Sequence, residues 1–235
     1  IENSSIMCVM EIFLEKCTLY LANFLAILII LPLHEFAHAF AAVKCGDDTP
    51  KFAGRYTLNP FAHFDPRGLV MMILIRFGWA KPVPVNPDNF RNRKSGCIWV
   101  SIAGVLVNLT FVFVMCPLCM YYYKLFYIQS GWGRYLNLLI QYFIASLFWI
   151  NVSLFVFNML PIYPLDGFRL LESLTNGRGK FLNFVRRYGF YILIGIFVLG
   201  YIADWTGIPY LDVIGYLSKI LGNGIILLWQ SILKI

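Results

Sequence analysis

Long apolar runs divide this chain. Leu19 to Val43 holds one formally charged residue, Glu35, and exceeds the ~20 helical residues that cross a bilayer core. Cys97 to Tyr123, interrupted by Pro117, and Tyr135 to Leu160 have the same character. Tyr188 to Ala203 is a shorter run, and Tyr210 to Ile235 reads as one more span or as a pair of half-helices around Gly222-Asn223-Gly224. Residues 1–18 mix apolar side chains with Glu2, Glu11 and Glu15, which suits a short interfacial helix or the front end of the first span. The pattern predicts an all-α polytopic membrane protein, a helical bundle of about five to six spans.

The stretch between the first two long runs has a different texture. Asn59-Pro60, Asp65-Pro66 and the run Lys81 to Pro87, with prolines at 82, 84 and 87, cannot be continuous helix. Lys51 to Leu58 and Pro82 to Asn86 read as short extended segments. Gly68 to Phe77 is apolar but too short to span, and fits a re-entrant or interfacial segment of this 44–97 loop. After the third run, Pro161 to Gly167 breaks the helix, and Pro164 suits the start of a new one continuing through Asn176.

Composition agrees. Of 235 residues, 60% are hydrophobic and 13% charged, against about 25% charged in soluble domains. Aromatic residues make up 17% and gather near the ends of apolar runs, as interfacial belts do. The net charge of +7 belongs to loops rather than to a nucleic-acid surface. Loop 44–96 carries nine Lys/Arg and segment 161–187 five, whereas loop 124–134 has two and the N-terminus one. The positive-inside rule then puts the first two in the cytoplasm and the N-terminus outside, in a multi-pass membrane protein. No basic n-region precedes the first span, which is expected to serve as its own insertion signal. Cys116-Pro-Leu-Cys119 lies inside an apolar run without a second pair and reads as helix-lining sulfur. There is no internal repeat, and residues 1–235 read as a single membrane-embedded domain.

Inside the first run stands His34-Glu35-Phe36-Ala37-His38. Positions four apart share a helix face, so the imidazoles lie side by side with Glu35 next to them. Two such His can supply two zinc ligands, and the Glu can act as general base on a water. Ionisable groups in a membrane span are costly and are usually functional. A catalytic zinc needs a third protein ligand. His63 is one candidate, although a structural histidine hydrogen-bonded in its loop is the simpler reading. Asp166 is better placed: it follows a span and a helix break, with no basic residue within two positions. An N-terminal helix cap is an equally good use for it. Glu172 is a third option, more readily placed at the interface with Arg169. Asn108 and Asn158 sit in apolar runs, where a side-chain amide needs partners. Interhelical hydrogen bonding is the ordinary role, and for Asn108 donation to an oxyanion is the functional one.

Taken together, HEFAH at 34–38, Gly104 to Asn108 in the next span, Asn158-Met-Leu-Pro161 and Leu165-Asp166-Gly167 resemble the site-2 protease family of intramembrane zinc metalloproteases. The loop stretches 54–68 and 78–87 are similar to the small bacterial branch, which lacks PDZ and CBS domains. The resemblance covers residues from about 19 to 176. It implies one catalytic zinc held by His34, His38 and Asp166, with Glu35 as base. It also implies a three-span catalytic core with the site just inside the cytoplasmic face, and extended segments near the site that pair with an unwound substrate. The branch usually has Gly-Pro where this chain has Gly104-Val105, a modest local change.

The expected activity is therefore zinc-dependent hydrolysis of peptide bonds in or near transmembrane segments. Glu35 and Asn108 are the expected catalytic residues and Asn158 a supporting one. The partners are a membrane-protein substrate, locally unwound, and the lipid bilayer, with no nucleic acid. Two rivals differ in class. A non-proteolytic zinc adaptor has no use for a base between two ligands, and an ion-coupled transporter is disfavoured by the missing repeat.

Overall fold

A backbone inside hydrocarbon must satisfy its own hydrogen bonds, and the apolar runs do so as helices. The computed structural model describes residues 2–68, 80–125 and 132–234. The helices named here are α1 (Glu2–Cys45), α2 (Thr49–Phe52), α3 (Pro60–His63), α4 (Arg93–Leu125), α5 (Trp132–Met159), α6 (Asp166–Leu174), α7 (Lys180–Thr206) and α8 (Val213–Leu233). Among the described residues five of them, α1, α4, α5, α7 and α8, are long and apolar enough to cross a membrane. The protein is an all-α, multi-pass integral membrane protein.

Residues 2–18 belong to α1 itself, the front end of the first span rather than a separate helix. At 1.5 Å per residue α1 is about 66 Å long, so it tilts or projects well beyond the ~30 Å hydrocarbon core. It runs on through Pro32, as α4 does through Pro117, which therefore does not interrupt its span. The last span is likewise one helix. Gly222 does not break α8; it lets α8 approach α5, since a Cβ there would stand 2.5 Å from the Trp149 ring.

α1, α4 and α5 pack against one another and form the centre of the bundle. The buried positions of α1 are rich in alanine: Ala22, Ala26, Ala37, Ala39 and Ala42 are all buried. Small side chains let helix backbones approach closely where lipid offers no hydrophobic drive. Ala26 and Ile30 of α1 meet Leu147 of α5. On the other side of α5, Phe148 and Val152 pack with Val112 and Cys116 of α4 and Ile225 of α8. Toward the N-terminal half of α1, Arg134 at the start of α5 bonds Glu15 at 3.0 Å.

α1 stops at Gly46, whose φ of +112° is open to glycine. The N–H of Asp47 returns to the carbonyl of Ala42 at 2.9 Å. Asp47, fully buried, then gathers the loop: it accepts from the Asn86 N–H at 2.7 Å, Asn89 Nδ2 at 2.8 Å and the Thr49 N–H at 3.0 Å. Burial works against its charge, but these donors and the Thr49 hydroxyl outweigh it and hold its carboxyl below the usual range. The segment 86–89 is thereby tied to the end of α1.

Lys51 to Leu58 is not extended. Pro50 sits in the first turn of α2 and Pro60 in that of α3, where a missing N–H costs nothing. Gly54 turns the chain between them with φ +66°. Lys81 to Asn86 has neither helix nor strand; Pro82 and Pro84 cannot donate to a ladder, and the nearby pairing is a single bridge, Phe64 with Ala80. Beyond Gly68, the expected re-entrant segment lies outside the described residues.

Candidate metal centre

Three elements far apart in sequence meet at one end of the bundle. The i, i+4 spacing on α1 puts the His34 and His38 rings 4.7 Å apart, edge to face, with their Nε2 atoms 3.0 Å from each other. Asp166, the first residue of α6, brings Oδ2 to 3.3 Å from His34 Nε2 and 3.2 Å from His38 Nε2. All three are buried, and these ligand atoms lie within 4.8 Å of one another. The helix-cap reading of Asp166 fails: Leu165 is the cap position, and no side-chain cap bond forms. α6 begins there because its start presses onto the end of α5. A Cβ on Gly167 would come within 2.4 Å of the Met159 carbonyl oxygen, so the residue after Asp166 has to be glycine.

The donors fit zinc. The Val100 carbonyl of α4 lies 2.7 Å from His38 Nδ1 and can only accept, so Nδ1 carries the proton and Nε2 presents a lone pair. Asp166 Oδ2 is buried with no hydrogen-bond donor of its own among the described residues. The His38 Nε2 lone pair and the Asp166 carboxylate, 3.2 Å apart, are two acceptors facing each other and call for a cation. With zinc–ligand distances of ~2.0–2.1 Å, ligand atoms of a tetrahedral site stand about 3.3 Å apart, close to the 3.0–3.3 Å found here. The open space on the α4 side is kept by Gly104, where a Cβ would stand 2.5 Å from both His34 Cε1 and His38 Nε2.

Glu35 lies beside this cluster on α1. Its Oε2 accepts from the Val83 N–H at 3.3 Å, so the loop strapped down by Asp47 reaches the carboxylate. Asn108 is one turn beyond Gly104 on the same face of α4, fully buried, with neither amide atom partnered among the described residues. Asn158 is half-buried near the end of α5. His63 is not part of the cluster. It is buried in the loop, where its Nε2 meets the Thr57 carbonyl at 2.8 Å, and its backbone carbonyl accepts from Lys81 at 2.8 Å. Glu172 is not a ligand either; it pairs with Arg186, not Arg169, at 2.5 Å. The Val83 N–H and the Val100 carbonyl carried no signal in the sequence, because any non-proline residue has them.

The sequence profile of peptidase family M50 matches residues 124–200. A protein of Bacillus subtilis (strain 168) named "Putative zinc metalloprotease YwhC" is 37% identical over 190 residues, 77% of this chain and 83% of that protein. The chain belongs to peptidase family M50, the site-2 protease family. Two mycobacterial relatives share the name "Putative zinc metalloprotease Rip2". That of Mycolicibacterium smegmatis (strain ATCC 700084 / mc(2)155) is 29% identical over 185 residues, 76% of this chain and 67% of its own length. That of Mycobacterium tuberculosis (strain ATCC 25618 / H37Rv) is 26% identical over 208 residues, 85% and 76% respectively. No solved structure matches the chain. This M50 peptidase is a zinc metalloprotease, and the donor set of His34, His38 and Asp166 is suited to its metal.

Proposed function

We propose that the protein is an intramembrane endopeptidase that cuts peptide bonds within or beside transmembrane segments of other membrane proteins. The observation that carries this is the convergence of His34, His38 and Asp166, with Glu35 alongside, in helices that belong to a membrane bundle. In this reading His34 Nε2, His38 Nε2 and Asp166 Oδ2 hold one zinc, and His38 is kept in register by the Val100 carbonyl. Zinc bound there supplies a Lewis acid for the scissile carbonyl and for the attacking water. The Glu35 carboxylate takes the water's proton and returns it to the leaving amine. Asn108, whose amide has no other partner among the described residues, donates to the developing oxyanion. Asn158 supports the loop that delivers Asp166.

A helical substrate has its carbonyls engaged in its own hydrogen bonds, so it must unwind locally to present one. The Lys/Arg excess of loop 44–96 supports a site near the cytoplasmic side of a bacterial cell membrane, with the N-terminus outside. The decisive experiment uses purified, zinc-loaded protein with a membrane-anchored substrate and Glu35→Gln. Loss of a general base lowers turnover by about 10²–10⁴-fold, with zinc content unchanged. Cleavage that persists in Glu35→Gln removes Glu35 from the mechanism, and a full zinc complement in Asp166→Ala removes Asp166 from the ligand set.

A further inference from the structure

Beside the metal cluster is a cleft of about 260 Å³ between the segment from Val83 to Phe90, the first turns of α4, and α6. It shares walls with the site on three sides. Val83, which lines it, donates its N–H to Glu35. Val100, on its floor, holds His38 through its carbonyl. Arg169, on its far wall, follows Asp166 by three residues on α6, about one helical turn. A chain seated with one carbonyl between Glu35 and the metal ligands therefore enters this cleft within a residue or two, at ~3.3 Å per extended residue.

A helix keeps its carbonyls in its own hydrogen bonds, so the stretch that enters the cleft from a carbonyl seated at Glu35 is an unwound one. Val83, Val85 and Val100 give it an apolar floor suited to a branched side chain. Its charge is one-sided. The acid in the wall, Glu172, is already engaged by Arg186. Arg169 is exposed and makes no ion pair among the described residues.

We infer that this cleft is a specificity subsite. It takes the unwound stretch of substrate flanking the scissile bond, with a branched apolar side chain on the valine floor and an acidic side chain against Arg169. The inference rests on the proteolytic reading above and deepens it.

The test is peptide binding to full-length, zinc-loaded Glu35→Gln protein in detergent micelles. The probes are fluorescein-labelled ten-residue Ala/Gly peptides carrying one Val and, within three residues of it, either Glu or Lys, read by anisotropy at low ionic strength. The Glu peptides bind about fivefold more tightly than the Lys peptides, the combined scale of one surface attraction gained and one repulsion avoided. Arg169→Lys keeps the preference, Arg169→Glu reverses it, and Val85→Trp, which fills the cleft, weakens both sets. Each variant is matched for zinc content, so that misfolding is not read as lost selectivity. Equal affinity of the Glu and Lys peptides, or a preference that survives Arg169→Glu, overturns the subsite. If the preference holds but protein with Glu35 intact cuts no membrane-anchored version of these sequences, the subsite stands and the proteolytic reading falls.

Discussion

Gly104 has no side chain, yet it does as much for the metal centre as the residues that face it. A methyl group there would stand 2.5 Å from both imidazoles, and neither ring can retreat without losing its separation from Asp166. Gly104→Ala is expected to insert and fold as a helix, since alanine favours that conformation, while zinc per chain, measured by mass spectrometry, falls below half. Asn108 makes a different prediction. If Asn108 donates to the oxyanion as proposed, Asn108→Ala lowers kcat by about 10²-fold and leaves KM and zinc content nearly unchanged. If KM rises and kcat holds, the side chain binds ground-state substrate instead. At this scale the sequence was readable wherever the chemistry is local. His34, Glu35 and His38 declare themselves because four residues of helix suffice to bring them together. Asp166 left an ambiguity that spacing could not lift, since a helix cap and a ligand need the same residue at the same break. The backbone groups of Val83 and Val100 could not be seen at all.

Among the elements, the loop between α1 and α4 carries the most consequence for its size. Asp47 holds it through the Asn86 N–H, Asn89 and Thr49, and through that hold Val83 reaches Glu35. Hydrogen bonds to a buried charge are worth roughly 1.5–3 kcal/mol each, less when shared on one carboxylate. Asp47→Ala is expected to free 81–89 for amide hydrogen exchange, while exchange in α5 and α8 stays as it was. The sign with pH follows from the lowered carboxyl. The tether is complete above the ordinary aspartate value of ~3.9 and is lost as pH falls through the lower folded value. The prolines of this loop were visible in the sequence, but their meaning was not. Pro50 and Pro60 both start short helices, whereas Pro82 and Pro84 forbid a ladder, and only the surrounding fold tells these cases apart. The glycines of α8 posed the same problem, since Gly222 is a packing contact with Trp149 rather than a break.

For the molecule as a whole, the hydrophobic pattern gave the order of the spans, because lipid leaves a long apolar run little choice but helix, but not their starts: α1 begins well before Leu19 and α7 at Lys180 rather than Tyr188. The remaining latitude, five spans or six, closes at five among the described residues. An odd number sends the two ends of the bundle to opposite faces. With loop 44–96 inside, Gly207 to Asp212 between α7 and α8 lies outside and Lys234 inside. Membrane-impermeant thiol labelling of single-cysteine variants checks this. Thr206→Cys is expected to label in intact cells, and Asn92→Cys and Lys234→Cys only after the membrane is opened. Labelling of Asn92→Cys from outside inverts the topology.

Asp166 stands 128 residues after His38, on the far side of two complete spans. During synthesis the ribosome delivers α1 first and adds residues at roughly 5–20 per second. For several seconds the nascent chain offers only a pair of imidazoles, a weak hold on any metal. The centre closes only after α4, α5 and the start of α6 have entered the bundle. The protease is thus born without its edge and acquires it as the last act of assembly. Chains released before residue 166 are expected to carry substoichiometric zinc and no activity, whereas the same chains extended through α6 recover zinc binding.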